Sequence, residues 1–475
     1  MERSSVHDEE TQRKILELAK STYDSTPAYR GFISAKGIRN RSSITTLDDV
    51  PIMDKRSYLK AFPLDELVQG GDISARANIV SASSGSSGVP FYWPRGNREH
   101  NDAAQIYSHI YDKIYQASDK STLLVVSFSM GSWIAGTYTS FGAIQAAMEN
   151  NLRLVVGTPS IDQEEVLNVI QHMADYFDQV IIAGYPPFVR DILLEGKNRG
   201  VHWHKYKLGL SFAGEMISEP WRTNTMEIAG MDKAHRAINI YGTADMGIVG
   251  HETPLSVTIK RLLEEQSITS EICEDPHTLV QFDRRRVLIE EVGGKLLLTS
   301  DSGIPLIRYS VGDEGGVLSA ADMPKGVLLE AEAILTSEGL DPYEFGKDFV
   351  FVKGRSDLTC SLYAVLIYPE HIKAGLEAQN ISNSVSGRFK MSTENDSDHE
   401  QYLLVKVELR DGVQASDELG NDVKGEIRTA LLAMNSEFKK LDEMVAGRAR
   451  IEIELRPFSD SDVADRAGDK QRWAE

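Results

Sequence analysis

The sequence predicts an α/β protein of two domains: a large N-terminal domain, 1–355, built on largely parallel sheets, and a small α+β domain, 356–475. Three observations carry this. At 475 residues the chain exceeds what a single core of ordinary size organises. Up to about residue 355, short apolar runs of strand length alternate with segments of helical period, the pattern of a parallel sheet covered by helices. Beyond Asp357 the pattern becomes one of alternating strands and a long helix, a compact unit of about 120 residues.

Taken in order, residues 15–23 read as a helix, followed by Tyr29-Arg30 and a short proline-containing segment, DDVPIMDK, at 48–55. The runs LLVVSF (123–128), LVVG (154–157), VIIAG (180–184) and LGLSFAG (208–214) are buried-strand candidates, because short apolar runs bounded by turn residues suit strands covered on both faces. Between the second and third, Val166, Ile170, Met173 and Phe177 fall on one helical face, the spacing of a helix packed on a sheet. An apolar strand at 237–240 leads into Tyr241, and another at 349–352 leads into Gly354-Arg355. In the small domain, YPEHIKAGLEA (368–378) precedes a polar stretch at 392–401. An alternating strand (402–410), a helical segment (418–438) and a second alternating strand (449–458) complete it.

Composition narrows the function classes. Hydrophobic residues make up 41% and charged residues 26%, the balance of a globular protein. The formal net charge of -20 argues against nucleic acid or an anionic membrane as partner, since both demand clustered Lys and Arg. No apolar run approaches the ~18 residues of a membrane span, and the first residues lack the apolar core of a secretory signal, so a cytoplasmic location is expected. Two cysteines, Cys273 and Cys360, suit a reducing compartment.

The segment SASSGSSGVP at 81–90 carries the first chemical signal. Gly85 and Gly88 let the backbone turn and approach a ligand closely, while Ser83, Ser84, Ser86 and Ser87 offer hydroxyl and N–H donors to anionic oxygens. Two residues separate the glycines and no Lys-Ser/Thr follows, so this is not the common phosphate loop. Three further segments fit parts of a nucleotide site and follow in order: Tyr241-Gly242-Thr243-Ala244-Asp245, the stretch TSDSGIPLIRYSVGD at 299–313, and Gly354-Arg355-Ser356-Asp357.

Together these segments resemble the adenylate-forming (ANL) superfamily of acyl-CoA synthetases, luciferases and peptide-synthetase adenylation domains. The opening helix, Tyr29-Arg30 and the 48–55 segment point within it to the phenylacetate-CoA ligase-like branch. The resemblance runs from about residue 10 to the C-terminus. It implies ATP-dependent activation of an organic carboxylic acid, aromatic acids included, as an acyl-adenylate, with Mg²⁺ and release of pyrophosphate. Ser83, Ser84, Gly85, Ser86, Ser87 and Gly88 then hold the phosphates, and Gly214 and Tyr241-Gly242 border the adenine, with Glu215 beside them. Thr243 contacts the α-phosphate. Asp245 stands where the family usually has a Glu that helps to hold Mg²⁺, and the shorter side chain requires a bridging water or a shifted backbone. Asp313 accepts hydrogen bonds from the ribose hydroxyls, and Arg355 contacts the ribose or α-phosphate. Arg308 is either a site residue or a structural ion-pair partner. Met130, Trp133, Tyr138, Tyr185, Phe212 and Ala213 lie in the segments that line the acid pocket. Near the C-terminus, Lys470 in AGDKQRW resembles the small-domain lysine that serves adenylation. Cys273, His277 and His251 also invite comparison with the zinc sites of some relatives, without the paired-cysteine motif such sites use.

In this family the small, mobile domain turns about a hinge after adenylation, and Asp357 fits that hinge. The glycine-containing strand that lies beside pantetheine in thioester-forming relatives has Ala364 as its counterpart here. The acceptor is therefore coenzyme A, a carrier protein or an amine, and homodimer formation is left open. An inactive nucleotide-binding relative with a regulatory role is the reading from another class.

Overall fold

In the large unit the short apolar runs covered on both faces form parallel strands, and strands joined by tight turns pair antiparallel. The computed structural model describes residues 9–82, 91–132, 134–214, 216–266, 268, 278–355, 360–363, 365–396, 400–444, 449–458, 460 and 463. These divide into two compact units, one of residues 9–82 and 92–354, the other of Phe91 and the described residues from 355 onward.

In the large unit, β1 (Ile79–Ala82) and β2 (Tyr92–Arg95) form an antiparallel ribbon. The strands β3 (Thr122–Ser127), β4 (Leu154–Gly157), β5 (Gln179–Gly184), β6 (Leu208–Ala213) and β7 (Ala237–Thr243) run parallel in the order β4-β3-β5-β6-β7. Alternate residues enter opposite cores, as the period of two requires. Val125, Ile182, Leu210 and Phe212 pack with the helices Gln163–Met173 and Pro186–Asn198 on one face, whereas Val126, Ile181, Ile238 and Ile240 meet Tyr107, Tyr111 and the helix Ile134–Asn150 on the other.

After β7 the direction changes. The strands β8 (Gly247–His251), β9 (Thr278–Gln281), β10 (Leu288–Val292), β11 (Lys295–Ser300), β12 (Leu306–Ser319) and β13 (Asp348–Arg355) extend the sheet. Among the described residues its order is β10-β11-β12-β13-β9-β8-β7-β6-β5-β3-β4. The parallel architecture expected from the sequence is the half from β4 to β7; the antiparallel half was not anticipated strand by strand. Gly293-Gly294, which joins β10 to β11, is the two-residue hairpin signal that would have revealed part of it.

In the small unit, β14 (Cys360–Leu362) and β15 (Val365–Ile367) form a ribbon. The strands β16 (Val385–Asn395), β17 (Gln401–Leu409) and β18 (Arg450–Arg456) make a sheet in which β16 is antiparallel and β18 parallel to β17. The parallel pair needs a crossover, and the helix Asp417–Met434 supplies it, burying Val423, Ile427 and Leu431. The polar stretch at 392–401 is partly strand, because β16 carries its alternation through Asn395. Cys360 is buried, and burial pushes its thiol up to about 12. Among the described residues no helix is long and apolar enough to cross a membrane.

A buried charge cluster holds β7. Arg222 and Lys260 meet Glu219 and Glu252 with nitrogen–oxygen distances of 2.7–3.2 Å, and all four side chains are nearly inaccessible. Glu252 Oε2 also accepts the backbone N–H of Asn239 at 2.8 Å, and Arg222 donates to the carbonyl of Ala237. Burial alone would raise the Glu219 carboxyl, but Arg222 and Lys260 outweigh it and hold the group below its ordinary value. Removing one member strands the others without compensation. Glu252→Ala is expected to lower the unfolding free energy by about 3–5 kcal/mol, read from the urea midpoint; a loss under about 1 kcal/mol would show that the cluster is not holding the strand.

Candidate active site

Among the described residues, Met130, Tyr185, Ala213, Gly214 and Tyr241-Gly242-Thr243 lie at or just beyond the carboxyl ends of the parallel strands, where open α/β sheets bind ligands. The register sets them side by side: Ser127 of β3 opposes Gly184 of β5, Gly184 opposes Phe212 of β6, and Ala213 opposes Ile240 of β7. Met130 follows β3, Tyr185 follows β5, Gly214 follows β6, and Tyr241-Gly242-Thr243 close β7. Tyr138 lies in the first turns of the helix Ile134–Asn150, its hydroxyl donating to the carbonyl of Glu99, and burial raises its phenol above the ordinary value. Phe212 needs a correction. Its ring is fully buried, packs edge-on to Trp221 at 5.4 Å between centroids, and belongs to the core on the face opposite Ala213. Successive strand residues point to opposite faces, so Phe212 packs in the core on the face away from Ala213 and Tyr138.

Beyond Thr243 the chain turns back through Ala244-Asp245-Met246 into β8. The Thr243 hydroxyl accepts the N–H of Met246 at 3.0 Å, which fixes the turn. Gly242 is required here, since a Cβ would stand 2.8 Å from the carbonyl oxygen of Gly247.

Asp313 reaches the same place from β12. Two steps along β11, Leu297 to Lys295, are matched by four along β12, Ser310 to Glu314, a bulge in which Gly312 adopts φ +90°. A bulge of this kind redirects a side chain. The Tyr241 hydroxyl donates to Asp313 Oδ2 at 2.5 Å, and the Tyr309 hydroxyl donates to Asp245 Oδ2 at 2.5 Å, across 72 and 64 residues of sequence. Tyr309 was not among the expected residues, although it stands four positions before Asp313 as Tyr241 stands four before Asp245.

Arg308 resolves as structural. Its guanidinium meets Glu290 Oε2 at 3.1 Å and donates to the carbonyls of Leu47 and Val50 at 2.8 and 2.9 Å. The neighbouring Met53 bridges Tyr309 in parallel, so the 48–55 segment is stitched to β12 just ahead of Asp313.

Arg95 is a second residue the sequence did not disclose. Its Nε donates to Ser81 Oγ at 2.8 Å, its Nη2 donates to the carbonyl of Ala244, and its guanidinium lies 5.5 Å from the Tyr138 ring centroid. It ends β2 between Pro94 and Gly96 and is buried.

Several expectations fall outside the described residues: Ser83, Ser84, Gly85, Ser86, Ser87 and Gly88, with Trp133, Glu215, Asp357, Ala364, Lys470, Cys273 and His277. Arg355 ends β13, and its side chain is likewise outside them. Among the described residues no group of three or more His, Cys, Asp or Glu side chains is arranged to hold a metal. His251 is a buried residue whose Nδ1–H donates to the carbonyl of Glu252 at 2.8 Å, and burial pushes its imidazole down to about 4. The unfolded chain then takes up a proton near pH 6.5 that the native chain refuses, so stability falls as pH drops from about 6.5 to 4, by about 3 kcal/mol in total. His251→Asn is expected to flatten that part of the pH profile of thermal unfolding. An unchanged acid slope would exclude His251 as its source.

No protein-family model matches the sequence, and no curated protein matches it. Solved structures do match. 2-Hydroxyisobutyryl-CoA ligase in complex with 2-HIB-AMP and CoA, in the thioesterification state, aligns with a TM-score of 0.61 at 16% identity, covering 98% of this chain and 90% of that one. The same ligase in the postadenylation state with R3-HIB-AMP aligns at 0.54 and 15% identity, covering 99% and 90%. Its open conformation with 2-HIB-AMP and CoA aligns at 0.53 and 15%, covering 98% and 91%. At these identities the likeness concerns the fold and does not single out the phenylacetate-CoA ligase-like branch. The chain has the fold of the adenylate-forming ligases.

Proposed function

We propose that this protein activates an organic carboxylic acid with ATP, forming an acyl-adenylate and pyrophosphate, and then passes the acyl group to an acceptor. The observation that carries the reading is the meeting of Tyr241 and Asp313 at the strand ends of a fold shared with a ligase solved with an AMP adduct. Adenylation forms a bond from a carboxylate oxygen to the α-phosphorus as the bond to the pyrophosphate oxygen breaks. The site must therefore bring two anions together and hold the nucleotide still.

The chain's own residues suit those tasks. Asp313 is an acceptor-only group with about four lone-pair sites, so it receives ribose hydroxyls while keeping the Tyr241 bond. The Tyr241 ring offers a stacking face to adenine beside Gly214. Thr243 and Arg355 are assigned to the α-phosphate, Ser83 to Gly88 to the outer phosphates, Glu215 to the adenine edge and Lys470 to the first half-reaction. Met130, Trp133, Tyr138, Tyr185 and Ala213 are assigned to the acid.

Asp245 fits a magnesium ion. Tyr309 engages Oδ2 and fixes the carboxylate, while Oδ1 has no hydrogen bond among the described residues. Mg²⁺ is commonly held by one or two carboxylates together with substrate phosphates and water, so the lack of a larger acidic cluster is no obstacle. When bound, the ion would neutralise phosphate charge.

A panel of aryl, acyl and amino acids in ATP–pyrophosphate exchange tests the proposal. Exchange with at least one acid is the expected outcome; ATP binding without exchange or AMP formation across the panel favours an inactive nucleotide-binding relative. Chasing the enzyme-bound adenylate with coenzyme A or an amine then identifies the acceptor.

Asp313→Ala is expected to weaken nucleotide binding more than Asp245→Ala, by roughly ten- to a hundredfold, the equivalent of ~1.5–3 kcal/mol for hydrogen bonds to a charged group. Tyr241→Phe keeps the stacking face but deletes the bond that orients the Asp313 carboxylate, so calorimetry should find its AMP affinity lowered, though by less than in Asp313→Ala. Unchanged ATP affinity in Asp313→Ala would remove that residue from the site.

A further inference from the structure

Arg95 stands apart from the other buried cations of the large unit. Arg222 and Lys260 are paired with Glu219 and Glu252, and Arg308 with Glu290. Among the described residues Arg236 has no carboxylate partner, but it donates to Leu208, Lys207 and Gln179 oxygens at the opposite, N-terminal end of the strands. Arg95 is 3% exposed, and among the described residues no carboxylate lies within 4.0 Å of its nitrogens. The two acids whose fields it feels are committed elsewhere: Glu99 accepts the N–H groups of Gly96 and Gly303, and Asp245 Oδ2 accepts the Tyr309 hydroxyl. Only two of its five N–H donors find acceptors among the described residues, Ser81 Oγ and the Ala244 carbonyl.

Burying an arginine there without a paired carboxylate is unfavourable unless an anion completes the site. Its two fixed bonds narrow the choice of anion. One runs to the strand that enters the Ser/Gly-rich 83–90 segment, the other to the peptide between Thr243 and Asp245, whereas the ribose acceptor Asp313 is held by Tyr241. Gly247 lies against the guanidinium, where a Cβ would come 3.6 Å from Nη1, so the turn leaves the charge uncovered by a side chain at that point.

We propose that Arg95 is an anion-binding residue of this site, taking a phosphate oxyanion of the pyrophosphate half of ATP beside the magnesium assigned to Asp245. The inference rests on the adenylate-forming reading and adds to it a residue outside the four nucleotide segments. Arg95 is then the counter-charge for the leaving pyrophosphate, and its burial places that charge in a medium where it is poorly screened.

Calorimetric titration of wild type and Arg95→Met with magnesium pyrophosphate, with AMP and with an accepted acid tests this, with the thermal midpoint of the unliganded proteins measured alongside. Pyrophosphate affinity should fall about ten- to a hundredfold in Arg95→Met while AMP affinity stays within about twofold. Arg95→Lys keeps the charge and loses the planar fork, so it should lie between the two. Unchanged pyrophosphate affinity overturns the proposal, as does a loss confined to the acid, which would assign Arg95 to the substrate carboxylate. A parallel loss of pyrophosphate and AMP binding with a lowered midpoint also overturns it and makes Arg95 a strut between Ser81 and Ala244. If Arg95→Met does not fold, Arg95→Lys is read in the same way: a fall of about threefold or more for pyrophosphate alone supports the assignment, and equal changes for both ligands or none overturn it. Failure of wild type to bind pyrophosphate or AMP at all would instead sink the adenylate-forming reading.

Discussion

The site depends on one bond made twice. Tyr241 donates to Asp313 and Tyr309 donates to Asp245, so each of two Tyr-x-x-x-Asp segments holds the carboxylate of the other. Hydrogen bonds to an ionised acceptor are worth about 1.5–3 kcal/mol, and here they are coupled, because neither segment can move without stretching both. Under the proposed function these bonds also bear on ligand binding. A carboxylate that receives ribose hydroxyls or a metal must already point the right way before the ligand arrives, and a fixed partner removes the cost of orienting it. The bulge around Gly312 belongs to the same device, for it turns Asp313 off the regular pleat of β12 and toward Tyr241.

Both segments rest on buried charge. Glu252 accepts the N–H of Asn239 and Arg222 donates to the carbonyl of Ala237, so the Arg222–Glu219–Glu252–Lys260 cluster is fastened to the backbone of β7 just ahead of Tyr241. On the other side, Arg308 with Glu290 gathers the carbonyls of Leu47 and Val50 and draws the N-terminal segment onto β12 one residue before Tyr309. Such groups need not add net stability, since desolvation offsets much of their attraction. Their directional bonds fix the strands that carry the site.

The sequence disclosed the parts whose signal is local. Strands β3 to β7 are short apolar runs, and their ends hold the residues that motif spacing singled out: Tyr241, Thr243, Asp245 and the neighbouring Ala213. The antiparallel half was harder to read, because β8 to β12 are partly apolar and partly alternating, and only the Gly293-Gly294 turn marks a hairpin plainly. Arg95 and Tyr309 were missed for a different reason. Their importance lies in burial and in partners more than sixty residues away, which neither period nor composition encodes. Phe212 was misread by the same limit: an aromatic on a rim strand looks like a pocket residue until the pleat assigns it to one face or the other.

The candidate site lies at a break in the connectivity of the sheet. β7 is the last parallel strand and the first partner of the antiparallel half, so the sheet changes its connectivity at Tyr241 to Asp245. A parallel strand must hand the chain to a long crossover, whereas an antiparallel one turns at once. By turning at once, β7 keeps Thr243 and Asp245 at the rim, where a crossover helix would have carried them away. The returning β8 in turn leads the chain toward the strands from which Tyr309 and Asp313 reach back. The two-fold Tyr–Asp bond is thus a consequence of the switch in sheet topology, and the switch is enforced locally by Gly242, the one residue type that tolerates the carbonyl of Gly247 so close to its Cα.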